Sequence, residues 1–217
     1  MPTSHDEEIL ETVKEMLPFG LSGYHADFLS WVKMEFRKKG KNYSSITIKN
    51  IETCIASLKN ENLIEPSKND PRELGPIPAI IQKSWTSDRY EIYGAFEFSP
   101  IQYVRSRLEA FLKANQVIED DLVDVSIATI EAIENAAKYG DGNTVLVSCK
   151  INNKKMELEI INRIKDVDLE TELQKKYTSA TTLMKGVMVM QKLFNHVDLQ
   201  VLEETQQSKL YAEKIFA

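Results

Sequence analysis

Cysteine is nearly absent from this 217-residue chain: Cys54 and Cys149 are the whole supply. Their apolar settings, one helix-like and one strand-like, suit reduced core thiols and not a disulfide framework. Histidine is as scarce. His5, His25 and His196 show no metal-ligand spacing among themselves or with the cysteines, so no zinc site of the usual kind can be read. No apolar run approaches the roughly 20 residues that cross a bilayer. The start, with His5-Asp6-Glu7-Glu8, has neither the basic nor the apolar segment of a signal peptide, and a cytoplasmic location without a membrane anchor is the expectation. Positive charge is also in deficit. With 27 Lys and Arg against 33 Asp and Glu, the net charge of −6 argues against general coating of nucleic acid, while leaving room for a local basic patch. Repeats and low-complexity segments are missing too.

What remains is an ordinary globular composition, 42% hydrophobic and 28% charged, large enough for two small domains. The clearest break is the segment from Pro66 to Pro78, where Pro66, Pro71, Gly75, Pro76 and Pro78 sit among polar residues. We expect a boundary soon after it, with domains at residues 1–86 and 87–217.

Three helices precede the break. Residues 7–17 carry Ile9, Leu10, Val13, Met16 and Leu17 at helical spacing and stop at Pro18 and Gly20. Residues 23–39 carry Phe28, Leu29, Trp31, Val32 and Phe36, and residues 47–60 place Ile48, Ile51, Ile55 and Leu58 on one face behind Ser45 or Thr47 as N-cap. Three helices, a short strand at residues 63–65 and a Pro-rich hairpin resemble the order of a winged-helix module. Residues 1–86 hold 11 Lys and Arg against 12 Asp and Glu, a balance of −1, whereas a DNA-reading module shows a distinctly basic face. The run Arg37-Lys38-Lys39-Lys41 could touch phosphates, but DNA is the less favoured partner and a protein-interaction role comes first.

After the break, Tyr90 to Phe98 reads as a strand from the even spacing of Ile92, Phe96 and Phe98. Ser99-Pro100 with Gln102 reads as a capping box opening a helix over residues 101–115. From about Asp120 to Tyr139 the residues are strong helix formers without proline, apolar around most of the circumference and ended by Gly140. Glu131, Asn135 and Lys138 fall at i, i+4 and i+7, one polar stripe on this greasy helix. Two strands at residues 144–151 and 155–164 follow, joined by Asn152-Asn153-Lys154 as a turn. Residues 184–197 form a further helix, and residues 198–202 and 209–216 read as closing strands.

The run Glu131-Ala132-Ile133-Glu134-Asn135-Ala136 with Lys138-Tyr139 resembles the N-box of the histidine-kinase-like ATPases, and among them bacterial anti-sigma-factor serine kinases. Element order over residues 88–217 is similar as well. The resemblance implies an α+β chain in which a two-layer α/β sandwich with a mixed sheet, of the Bergerat type, follows the winged-helix-like domain. It implies ATP and Mg²⁺ as cofactors, with Asn135 ligating the metal between the phosphates and Glu131 acting as general base. A base one helical turn from an oxygen ligand can reach a hydroxyl near the γ-phosphate. Lys138 lies on the same stripe and is a further cofactor-contacting candidate.

The remaining boxes depart from the family pattern. Its D-x-G-x-G, whose Asp binds the adenine amino group, aligns with Asn162-Arg163-Ile164-Lys165-Asp166, so Asn162 replaces the Asp and Ile164 the first glycine. Asn162 still offers an acceptor. The lid corresponds to residues 178–182. The second glycine box aligns with Leu183-Met184-Lys185-Gly186, keeping only its last glycine, with Lys185 available as a point charge near phosphate. Two function classes follow. One is a regulatory ATPase or serine/threonine kinase with Glu131, Asn135, Lys138, Asn162, Lys185 and Gly186 as its site. The other is an inactive kinase-like binding module. Either implies a protein partner such as a sigma factor or an anti-sigma antagonist, and family members often pair as homodimers. A winged-helix DNA-binding regulator with a sensor domain is a third possibility.

Overall fold

In the computed structural model, described over residues 4–83, 85–164, 186 and 188–216, two compact units emerge. One comprises Met1–Ser84 with Glu97–Ala114, the other Trp85–Phe96 with Asn115–Ala217.

Apolar spacing dictates the three opening helices of the first unit. Helix α1 (Ser4–Met16) buries Ile9, Val13 and Met16, α2 (His25–Lys38) buries Phe28, Trp31, Val32 and Phe36, and α3 (Ile48–Asn60) buries Ile51, Cys54, Ile55 and Leu58. Each apolar stripe repeats every three to four residues, so one face can be removed from water. Burial pushes the Cys54 thiol up to about 12, a reduced core thiol. At the start of α3 the Thr47 N–H donates to Asn50 Oδ1 at 3.0 Å, and past its end Asn62 takes the left-handed conformation at φ 54°. Strand β1 (Ile64–Pro66) then pairs antiparallel with β2 (Leu74–Pro76), and Gly23 forms a single bridge to Leu74.

Helix α4 (Pro100–Ala114) also falls in this unit. Its side chains show why. Gln102 Nε2 donates to Ser22 O at 3.0 Å, Tyr103 meets Trp31 edge-on at 5.7 Å between ring centroids, and the Arg107 guanidinium lies 4.0 Å from the centre of the Phe19 ring. The expected capping box does not form. Ser99 has φ 48° and its hydroxyl donates to Asp27 Oδ1 at 2.9 Å, so both would-be capping side chains are spent on tertiary bonds.

The second unit is a five-stranded sheet in the order β3-β4-β5-β7-β6. Its strands are β3 (Ser87–Tyr93), β4 (Gly140–Asn152), β5 (Lys155–Ile164), β6 (His196–Leu202) and β7 (Gln207–Ile215). Helix α5 (Glu119–Tyr139) packs on β4 and β5, giving the expected two layers. All pairings among the described residues are antiparallel, a correction to the mixed sheet. β7 slots between β5 and β6, which run the same way, so these two never become neighbours.

The expected strand through Phe98 stops at Tyr93, and residues 96–98 form a 3-10 turn with Phe96 57% exposed. The Gly94 N–H bonds to Asn143 O at 2.9 Å, and the chain turns away there. β4 and β5 meet through a two-residue turn with Asn153 and Lys154 both at positive φ, the conformation that matches strand twist. Register sorts the sheet into rows. Cys149, Leu158 and Ala212 align on the inner face, then Tyr90, Val147, Ile160 and Leu210, then Ile92, Val145, Asn162 and Ser208. Against them α5 buries Leu122, Val125, Ala128, Ala132 and Ile133. No helix among the described residues is long and apolar enough to cross a membrane.

Candidate functional site

Apart from Asp88 on the edge strand and Lys214 on β7, the inner face is apolar until the row where Asn162 and Ser208 appear, with Asn162 beside the C-terminal end of α5. Helical spacing puts Glu131 and Asn135 one turn apart on that helix, both half-buried. Gly186, helical and buried, backs directly onto them. A Cβ at position 186 would collide with Asn135 Nδ2 and lie 3.5 Å from Glu131 Oε2. Three candidate residues, the third some fifty positions downstream, therefore share one spot.

Asn162 lies close by. It is 7% exposed, and its Nδ2 donates to Arg163 O at 3.1 Å. Gly140, read from sequence as the end of the helix, does follow its last residue and is extended, with φ −71° and ψ 167°. Its absent side chain matters for another reason: a Cβ there would run into Ala136 O and stand 3.3 Å from Asn162 Nδ2. Gly140 thus lets β5 carry Asn162 up to the last turn of α5, and sequence reasoning missed that role. A glycine is a sufficient signal for close approach only once the opposite strand is known.

Lys138 is not gathered into this spot; it is exposed, with its ammonium 5.2 Å from the Tyr139 ring centre. Lys185, Met184 and the segment 178–182 lie outside the described residues. Ile164, at the first glycine position of the family box, continues β5 and pairs with Gly140. On α4, Arg107 is buried in the first unit and Arg105 is exposed.

A second missed residue is Lys214 on β7. The alternation Leu210, Ala212, Lys214 turns it inward, where only 12% of its side chain is exposed. Its ammonium sits 3.2 Å from Asp121 and 3.3 Å from Asp124 of α5, and donates to Leu193 O at 3.0 Å. Residues 188–193 are helical, as is Gly186. One cation therefore holds that helix and α5 together, and favours the carbonyl end of the former.

The carboxamide and carboxylate on α5 are oxygen donors suited to Mg²⁺, which completes its shell with phosphate oxygens and water. Gly186 packs against them where any side chain would collide with the Asn135 carboxamide. No curated protein matches the chain. Residues 99–212, more than half of it, match the histidine kinase-like ATPase domain. The match opens one residue before α4 and takes in Glu131, Asn135, Asn162 and Gly186, and this chain belongs to the histidine kinase-like ATPase family.

Proposed function

We propose that the ATPase-type domain binds ATP with Mg²⁺ beside the C-terminal half of α5 and controls a protein partner. The observation that carries this is the packing of Gly186 onto Asn135 and Glu131. Asn135 would hold the metal through its carboxamide oxygen, and bound Mg²⁺ would supply charge neutralisation for the phosphates. Glu131, one turn away, would take the proton of an attacking serine or threonine hydroxyl. As the new O–P bond forms, the bond from the γ-phosphorus to its bridging oxygen breaks and ADP leaves. Asn162, its amide nitrogen already bonded to Arg163 O, has its carbonyl oxygen left to accept from an adenine amino group. Lys185 and, at the rim, Lys138 would add positive charge.

The partner reading is protein, such as a sigma factor or an anti-sigma antagonist, with the first unit as a winged-helix-type interaction module. Its basic run supports this. Arg37 pairs with Glu97 at 3.7 Å, Lys38 with Glu35 and Lys39 with Glu15 at 2.8 Å, and Lys41 with Glu8. Cations that face carboxylates give little net field for a phosphate backbone.

A second reading, the inactive binding module, is favoured by β5 continuing as strand through Ile164 where the family has glycine. Titration with Mg-ATP and Mg-ADP decides between them. Ligand at a thousandfold excess over Kd stabilises the folded state by about 4 kcal/mol, and Glu131→Gln should abolish turnover while leaving ADP binding intact. A flat thermal response selects the binding module; equal turnover in wild type and variant removes Glu131 from its role.

A further inference from the structure

The five-stranded sheet has two edges, and they are built differently. Edge strand β3 carries Asp88, Arg89 and Glu91 within seven residues, and turns Asp88 inward at 6% exposure. Charges on an edge strand, above all an inward one, keep a sheet from pairing with another chain. Edge strand β6 has no such protection. It reads His196-Val197-Asp198-Leu199-Gln200-Val201-Leu202, with no Lys, Arg or Pro and one acidic residue. Leu199, Val201 and Leu202 remain 38%, 47% and 42% exposed. β7 occupies one side only, so half of the β6 backbone polar groups face outward without a strand partner among the described residues.

We propose that β6 pairs antiparallel with β6 of a second copy of this chain, about a two-fold axis through Leu199. The strand is self-complementary in this register. Val197 stands opposite Val201 and Leu199 opposite itself, all on the inner face, since Val197 and Leu199 are in register with Ala212 and Leu210. On the outer face Asp198 stands opposite Gln200, an amide donor that already bonds to Asp198 within one strand at 2.7 Å. Charge complementarity selects the register. Sliding the pair so that Asp198 faces its own copy opposes two carboxylates, and a slip of one residue sends the apolar trio to the polar face. A two-fold pairing uses the one open strand of each copy, so assembly closes at two and does not propagate.

Sedimentation equilibrium of the full chain tests this. From about 1 to about 200 µM, a range suited to a small interface, the mass should rise from 24.8 kDa toward twice that value. Leu199→Lys, which sets two ammonium groups face to face, should stay monomeric throughout, and Val201→Glu should weaken pairing with the far-ultraviolet circular dichroism of each unchanged. Leu199→Cys should form a disulfide-linked dimer on mild oxidation, while Glu91→Cys on the other edge should not; Cys54 and Cys149 are buried and stay silent. A wild type that is monomeric across the range overturns the pairing and leaves β6 for a strand of a different protein. A dimer that persists in Leu199→Lys, or cross-links at position 91 but not 199, overturns it equally.

Discussion

The two units treat their polar side chains in opposite ways. In the first, charge is spent on the fold itself. The cations of the 37–41 run face glutamates, and Arg72 grips Asp70 through two bonds at 3.0 and 2.8 Å while the Tyr24 hydroxyl donates to the same carboxylate at 3.0 Å. In the second unit, α5 holds Glu131 and Asn135 half-buried, with no hydrogen bond to another residue among those described. The same helix buries the hydroxyls of Ser126 and Thr129, also without partners among the described residues. Unpaired polar groups in a buried setting cost stability, so a helix that keeps several is not optimised for stability alone. The contrast is what the proposed nucleotide site on α5 would produce.

The sharpest way to break that contrast is Gly186→Ala. The added Cβ would meet Asn135 Nδ2, the far end of a side chain that can swing aside, so the fold should survive. The Asn135 oxygen proposed to hold Mg²⁺ would not stay where it is. We expect at least a tenfold loss of Mg-ATP affinity by calorimetry, about 1.4 kcal/mol or more, with the unliganded Tm within a few degrees of wild type. A variant that binds as well as wild type would show that Gly186 is only a packing glycine.

Lys214 is a polar residue of the second unit that does belong to the fold, and it should behave oppositely. Lys214→Met leaves Asp121, Asp124 and the Leu193 carbonyl without their shared cation. Removing one partner of a partly buried group of this kind costs about 2 kcal/mol, or roughly 4–8 °C in Tm for a chain of this size. Lys214→Arg should recover most of it. Scanning calorimetry at low and high salt checks the claim, because a pair so little exposed should resist screening.

How much of this was legible depended on range. Helix α5, the hairpin at 152–155 and the three N-terminal helices follow from local periodicity and turn chemistry, and were readable. Ser99 and Gln102 spell a capping box, yet their partners Asp27 and Ser22 lie more than seventy residues away and win. Even spacing of Ile92, Phe96 and Phe98 mimics a strand because nothing local announces that Gly94 will turn onto Asn143. The antiparallel sheet depends on where β7 inserts, which no single segment encodes. For the site, Glu131 and Asn135 were visible by spacing, and Gly186 only by family resemblance. Gly140 and Lys214 gain their roles from strands distant in sequence.

The smallest effect should come from the first unit, in the clasp of Tyr24, Asp70 and Arg72. Hydrogen bonds from Arg72, and then from Tyr24, hold the Asp70 carboxyl well below the usual carboxylate range, and the bond to Asp70 raises the Tyr24 phenol. A carboxyl with a depressed pKa in the folded state stabilises above its unfolded value, about 3.9, and loses that contribution as pH falls below it. A phenol with a raised pKa stabilises below about 10 and loses that contribution as pH climbs through its folded value. Asp70→Asn should therefore lower Tm by a few degrees at most between about pH 5 and 9, with the gap to wild type closing at both extremes. Because the clasp is exposed, added salt should shrink the gap as well. Nucleotide binding should not change in this variant; if it does, the division between polar groups spent on folding and those kept for a ligand fails at its simplest point.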